Sequence, residues 1–207
     1  MKGKFITFEG IDGCGKTTQA QNLRDNLSTV GIKSLITREP GGSPGAEEIR
    51  NLLVTGEQNR WSPETEILLF TAARKDHLEK TILPAVNSGS TVICDRFFDS
   101  TRVYQTVNKP KLATFVEQLH ELVIGFKPDL TFLIDMKPSV ALARGLARNS
   151  NEDRFEGLGL AFQEKVRKGF IKFANIEKER YIIIDGDDSE EVISNQVFTK
   201  YKRFFKE

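Results

Sequence analysis

The stretch Gly10-Ile11-Asp12-Gly13-Cys14-Gly15-Lys16-Thr17 decides how the rest of the chain is read. It matches G-x-x-x-x-G-K-[ST] in full. Lys4-Phe5-Ile6-Thr7-Phe8-Glu9 before it reads as a short buried strand. A helix is predicted after it from about Lys16 to Val30, with Gly31 as its C′ residue. The glycines let backbone N–H groups close around phosphate oxygens. The new helix aims its positive end at the same anion. Lys16 is expected at the β- and γ-phosphates of a bound triphosphate, and the Thr17 hydroxyl at a Mg²⁺ that bridges them. Gly10, Ile11, Asp12, Gly13, Cys14, Gly15, Lys16, Thr17 and Thr18 are the predicted ATP-binding loop. A glycine-rich turn that binds nothing is the other reading, and the strand–loop–helix context opposes it. The acceptor stays open, because P-loops serve switches, motors and kinases alike.

Outward from this loop, apolar runs alternate with helical patterns. Strands are predicted at 34–37, 91–94, 130–135 and 181–185. Helices are predicted from about Ala46 to Thr55-Gly56, from Ser62-Pro63 to Ile82-Leu83, from Lys111 to Ile124, from Ser139 to Ala147, from Ala161 to Lys178 and from Ser189 to Phe205. Phe97 to Pro110 holds a helical turn or two. No repeat, low-complexity tract or linker interrupts the pattern. Such alternation implies a parallel sheet covered on both faces, so the α/β fold expected is three-layered, with five strands flanked by helices. Ligands gather at the carboxyl ends of such strands. The loops after Glu9, Thr37 and Cys94 are therefore where chemistry is expected.

Bulk properties narrow the field. The 207 residues suit one domain, 1–207. Charged residues make up 29% of the chain yet leave a formal net charge of only +1, which argues against nucleic acid or a membrane surface as the partner. Cys14 and Cys94 lie in no metal or disulfide spacing and suit a reduced intracellular chain. The N-terminus turns polar at Glu9, too early for a signal peptide, and no apolar run is long enough to span a membrane. A cytoplasmic location is expected.

Three segments bear on the acceptor. Thr37-Arg38-Glu39-Pro40-Gly41-Gly42 follows the second strand, and its prolines and glycines fix a loop that aims Arg38 and Glu39 inward; a solvated turn is the alternative. Phe70 and Arg74 lie at i, i+4 in Leu68-Leu69-Phe70-Thr71-Ala72-Ala73-Arg74 and share a helix face. A ring to stack on a base beside a guanidinium to donate to its carbonyl makes a nucleobase receptor. The alternative is a core phenylalanine and a surface charge. Asp95-Arg96 closes the third strand, offering a carboxylate for Mg²⁺ and a cation for a phosphate. Phe97, Ser100, Tyr104 and Gln105 follow it.

With these segments in order behind a P-loop, the chain resembles the thymidylate kinase family, bacterial type with a basic lid, from Phe5 to the last strand. The resemblance implies a P-loop nucleoside-monophosphate-kinase-like fold and transfer of the γ-phosphate of MgATP to dTMP. It implies that Arg38 and Glu39 border the monophosphate site and that Phe70 and Arg74 take thymine. Arg96 would meet the acceptor phosphate, with Ser100, Thr101, Tyr104 and Gln105 along the sugar and base edge. Asp12 would touch the sugar 3′-hydroxyl or the metal. Arg50 matches a further phosphate-binding arginine, with a solvated helix charge as the other reading. Thr17 and Asp95 are the metal candidates.

No arginine occupies the variable positions of the P-loop, which matches relatives whose lid supplies the cation. Arg144, Arg148 and Arg154 flank a polar run, and a lid is expected at about 148–158, with Lys16, Arg96, Arg148 and Arg154 as the catalytic set. An ordinary charged loop is the alternative. Family members are usually homodimers. Thr106-Val107-Asn108-Lys109-Pro110 departs from the Gly and Arg-Gly that many relatives carry there, and Phe97 replaces a common tyrosine. His77 and His120 are expected to be structural or surface residues. Another P-loop nucleotide or nucleoside kinase, or a non-catalytic P-loop switch, are the competing functions.

Overall fold

The computed structural model describes residues 2–57, 60–146 and 159–206. Strands β1 (Phe5–Glu9), β2 (Ser34–Arg38), β3 (Thr91–Asp95), β4 (Leu130–Asp135) and β5 (Tyr181–Asp185) form one sheet in the order β2-β3-β1-β4-β5. Every pairing is parallel, and Thr7 lies opposite both Cys94 and Thr131. The predicted strands are met to within a residue. Each ends on a charged side chain: Glu9, Arg38, Asp95, Asp135 or Asp185. The apolar runs stop where the sheet reaches its solvated carboxyl edge.

Helices cover both faces. They are α1 (Lys16–Thr29), α2 (Pro44–Val54), α3 (Pro63–His77), α4 (Leu83–Asn87), α5 (Phe98–Tyr104), α6 (Ala113–Leu119), α7 (Pro138–Leu146), α8 (Gly159–Ile176) and α9 (Glu190–Phe205). All five positions of β1 are buried, as a strand packed on both faces requires. Ile6 and Phe8 enter one core with Ala20, Leu23 and Leu27 of α1, Val166, Phe170 and Ala174 of α8, and Ile193, Val197 and Tyr201 of α9. Those spacings of three and four residues put one stripe of each helix on the sheet. Phe5 enters the other core with Ile67, Ile82, Val92 and Val116. Each fully buried Leu, Ile or Phe contributes roughly 1.5–3 kcal/mol of burial free energy.

Two helices depart from expectation. The one starting after Ser62 does not stop at Ile82-Leu83. It passes through a π-helical turn, Leu78–Ile82, and continues as α4. The amide of Leu83 donates to Leu78 O, so the ladder widens just before Pro84, whose missing N–H is then no obstacle. The one predicted from Lys111 to Ile124 is a 3₁₀ turn, Pro110–Leu112, then α6, then a second π-helical turn, His120–Ile124, ended by Gly125 at φ 57°. The expected turn or two after Phe97 is α5. The lid expected at about 148–158, with Arg148 and Arg154, lies outside the described residues.

Behind the carboxyl edge, an ion network fastens α5 to the sheet. Asp99 is fully buried and takes both terminal nitrogens of Arg180 at 2.8 Å, and Arg180 also donates to the Thr131 hydroxyl at 2.8 Å. Arg102 adds a contact to Asp99 at 3.1 Å and to Glu117 of α6 at 2.6 Å.

Candidate active site

The loop from β1 to α1 curls at the middle of the sheet, where connections leave in opposite directions. Gly13 sits at φ 81°, and a Cβ there would fall 2.0 Å from the carbonyl oxygen of Ala141 on α7. Gly15, at φ 96°, is the N-cap of α1 and has open space around it. One glycine is required by contact and the other by backbone angle alone. Lys16 is 6% exposed and folds back to donate to Ile11 O at 2.8 Å. Cys14 is buried beneath the loop, and burial pushes its thiol up, away from reactivity.

Asp95 reaches this loop from β3, its Oδ2 accepting from the Thr17 hydroxyl. Its Oδ1 is buried and has no hydrogen-bond partner among the described residues. A hydroxyl beside an unanswered carboxylate oxygen, at the mouth of a phosphate loop, fits a hard divalent cation such as Mg²⁺. Among the described residues no three His, Cys, Asp or Glu gather as a cage.

Facing the loop is a cavity of about 380 Å³. It brings together Lys16, Thr17 and Asp95 with every residue expected on the acceptor side: Asp12, Arg38, Glu39, Arg50, Phe70, Arg74, Arg96, Ser100, Thr101, Tyr104 and Gln105. Gly13 also lines it, whereas Gly10, Ile11 and Cys14 are buried in the loop and Thr18 is exposed on the first turn of α1. Phe70 is half-buried and belongs to neither core cluster, so it is not packing filler. Arg50 is half-buried too and donates to Pro40 O at 2.6 Å, so it is not a solvated charge. Arg38 is exposed at the rim and pairs with Glu47 at 3.1 Å.

Arg96 is the hub. Its backbone adopts φ 69°, in the left-handed region that side chains seldom enter. Nη1 donates to Ser100 Oγ at 2.9 Å and to Gly10 O at 3.2 Å, and Nη2 pairs with Asp12 Oδ1. The guanidinium lies 5.0 Å from the centre of the Tyr104 ring, whose hydroxyl donates to Asp12 Oδ2 at 3.0 Å. Burial alone would raise the Asp12 carboxyl, but Arg96, Lys16 and the Tyr104 hydroxyl together hold it below the usual carboxylate range. Asp12 thus neutralises the cation expected to meet the acceptor phosphate.

Sequence reasoning missed several supports. Glu9, fully buried at the end of β1, holds the start of α5, and burial, with the charge of Asp99 behind it, pushes its carboxyl up to about 7. His77, expected to be structural or on the surface, is the former: it is fully buried and bridges Glu39 to the Thr37 hydroxyl, a partnership the sequence did not signal. Asp99 and Arg180 lie 81 residues apart in sequence, so no local spacing signals them. A Glu closing an apolar strand directly before the phosphate loop was the only available hint of Glu9.

A phosphate loop on the central strand, opposed by a guanidinium-lined cavity on the same sheet edge, defines a P-loop nucleoside monophosphate kinase. The thymidylate kinase family model matches residues 8–197. The chain is 57% identical over 195 residues to the thymidylate kinase of Dinoroseobacter shibae, covering 94% of each chain. It is 55% identical over 185 residues to that of Ruegeria pomeroyi, covering 89% of this chain and 88% of the relative. The crystal structure of thymidylate kinase from Ehrlichia chaffeensis matches with a TM-score of 0.79 at 34% identity, over 98% of this chain and 99% of that one. This chain belongs to the thymidylate kinase family.

Proposed function

We propose that this enzyme moves the γ-phosphate of ATP onto the 5′-phosphate of dTMP, giving dTDP and ADP. The observation that carries the reading is the shared cavity in which Phe70, Arg74 and Arg96 face Lys16 and Thr17. The triphosphate lies along the loop from Gly10 to Thr18, with Lys16 turning from Ile11 O to the β- and γ-phosphates. Phe70 stacks on thymine. Nε and Nη2 of Arg74 are engaged by protein, which leaves Nη1, without a hydrogen bond among the described residues, for a base carbonyl. Ser100, Thr101, Tyr104 and Gln105 follow the sugar and base edge, with Arg38, Glu39 and Arg50 bordering the phosphate side.

In the reaction a dTMP phosphate oxygen attacks the γ-phosphorus in line. The bond from that phosphorus to the bridging oxygen breaks, and ADP leaves with the electron pair. A phosphate dianion is already a competent nucleophile, so no general base is required. Arg96 clamps the acceptor phosphate and offsets its charge against the donor, while Lys16 stabilises the charge growing on the γ-phosphoryl oxygens. Thr17 and Asp95 would hold Mg²⁺, which when bound supplies neutralisation of the β- and γ-phosphate charge. Arg148 and Arg154 of the single domain 1–207, which lie outside the described residues, complete the proposed catalytic set of cations.

Leu68 of α3 and Leu122 of the second π-helical turn, 48% and 84% exposed, support a homodimer packed through outer helices. Two free buried thiols suit a reducing cytoplasm, and no described helix is long and apolar enough to cross a membrane. The test is ADP release measured with dTMP, dUMP, UMP, CMP and thymidine in turn. dTMP-dependent release is the expected result. ATP binding with no response to dTMP would overturn the reading.

A further inference from the structure

Glu9 has none of the exposure expected of a carboxylate, and nothing in the phosphate chemistry above uses it. Its Oε1 accepts from the amides of Phe97 at 2.8 Å and Ser100 at 3.3 Å. Its Oε2 accepts from the Ser100 hydroxyl at 2.6 Å. A serine hydroxyl has one proton. With that proton directed at Glu9, the Ser100 oxygen has only lone pairs for its other neighbour, and there Nη1 of Arg96 donates at 2.9 Å. While Glu9 is ionised, the polarity of the chain carboxylate, hydroxyl, guanidinium is therefore fixed at its buried end.

The backbone carries the same constraint. Arg96 sits in the left-handed region, a conformation that persists in a non-glycine residue only when its surroundings over-determine it. Its amide donates to Phe8 O at 3.0 Å, and its carbonyl accepts from the Cys94 thiol at 3.0 Å. The next amide, that of Phe97, is the one Glu9 captures. Burying an ionisable group here is costly, and an apolar residue of similar size would avoid that cost. What it would not do is orient Arg96.

We infer that Glu9 is a positioning residue for the acceptor phosphate: through the Phe97 amide and the Ser100 hydroxyl it sets where the Arg96 guanidinium points. The inference rests on the assignment of Arg96 to that phosphate. If Glu9 only capped α5, its loss would weaken the fold and touch both substrates alike. If it aims Arg96, its loss falls on dTMP.

Glu9→Gln separates these. With its amide nitrogen toward Ser100, the new side chain donates where a carboxylate accepted. Flipped, it sets a donor against the Phe97 and Ser100 amides. At least one contact reverses either way. The expected result is a fall in kcat/KM for dTMP of up to about 100-fold, with KM for ATP changed by less than about twofold. Ser100→Ala should show the same selective loss, and it reads the relay even if Glu9→Gln folds poorly. The double variant should be no worse than the worse single one, because both cut one chain of contacts. A folded Glu9→Gln enzyme with near-normal kcat/KM for dTMP would overturn the inference, as would losses that multiply in the double variant. Arg96→Ala runs alongside. If it too keeps near-normal kcat/KM, the assignment of Arg96 has failed. If it is crippled while Glu9→Gln is not, the role of Glu9 alone has failed.

Discussion

Glu39 grips Arg74 from behind: Oε2 accepts from Nε at 2.7 Å, and each side chain is 3% exposed. The other oxygen of Glu39 meets Nδ1 of His77 at 3.1 Å, and Nε2 of His77 meets the Thr37 hydroxyl at 2.7 Å. Nη2 of Arg74 reaches Thr101 Oγ1 at 3.0 Å and Phe97 O at 3.2 Å. A loop after β2, a helix and the loop after β3 thus converge on one guanidinium, and that guanidinium still lines the acceptor cavity. Both carboxylate oxygens of Glu39 are engaged by protein, so in the proposed dTMP site its part is to hold Arg74.

Glu39→Gln should therefore weaken the base contact and the fold together. Breaking one side of a buried pair leaves a guanidinium without its counter-charge, at a cost of about 3–5 kcal/mol, less whatever the amide oxygen recovers. Urea unfolding should show that loss. Steady-state kinetics should show KM for dTMP rising with KM for ATP unchanged. An unchanged KM for dTMP would detach Glu39 from the acceptor site.

Asp95 makes the opposite prediction for stability. Its Oδ1 is buried and unanswered among the described residues, and an amide in its place leaves a neutral group rather than a charged oxygen without a partner. Asp95→Asn should not lower the unfolding midpoint without Mg²⁺. It should raise the Mg²⁺ concentration needed for half-maximal activity about 10–100-fold, as loss of a metal-supporting group does. A Mg²⁺ titration at fixed ATP checks this, and an unshifted curve would remove Asp95 from the metal site.

What was legible in the sequence follows from where the constraints are local. The strands read clearly because a parallel sheet buried on both faces demands unbroken apolar runs. The phosphate loop read clearly because its backbone needs glycine at fixed offsets. Phe70 and Arg74 share a face at i, i+4, and all eleven acceptor-side residues reach one cavity. Glu9, His77, Asp99 and Arg180 were illegible for the converse reason. Each acts on a partner dozens of residues away, and a lone buried charge carries no period. The helix through Pro84 was misjudged because a π-helical turn, which moves the ladder past the proline, leaves no mark in composition.

Gly13 and Gly15 make a paired prediction. Gly15→Ala meets open space and carries only the left-handed backbone penalty of about 1–2 kcal/mol. Gly13→Ala carries the same penalty and also drives a methyl group to within 2.0 Å of Ala141 O. Either the loop or α7 must then move. Thermal unfolding should rank Gly13→Ala below Gly15→Ala, and ATP affinity should fall further in the former. Equal losses would mean that the contact between loop and α7 does not constrain the site.

His120 gives a prediction in pH. It is 2% exposed, stacks on Phe98 with ring centres 3.6 Å apart, and neither ring nitrogen has a partner among the described residues. Burial, helped by the charges of Arg74, Lys127 and Arg102 and opposed by Asp99, pushes its pKa down to about 3. As pH falls below the ordinary value of 6.5, the unfolded chain takes up a proton that the fold refuses, so stability is lost between 6.5 and about 3. Glu9 has the reverse sign: with its carboxyl raised to about 7, the fold binds a proton between 7 and 4.5 that the unfolded chain does not, and stability rises on acidification through that window. The two oppose each other in the wild type. His120→Leu loses ring stacking of about 0.5–1.5 kcal/mol and removes unsatisfied nitrogens costing about 1–3 kcal/mol, so it should match or exceed the wild type at neutral pH. Its advantage should grow by on the order of 2 kcal/mol between about pH 7.5 and about pH 5, because the variant has no buried imidazole that loses stability on acidification. Urea midpoints of both proteins across that range decide it: a constant difference would mean that His120 is free to protonate in the fold.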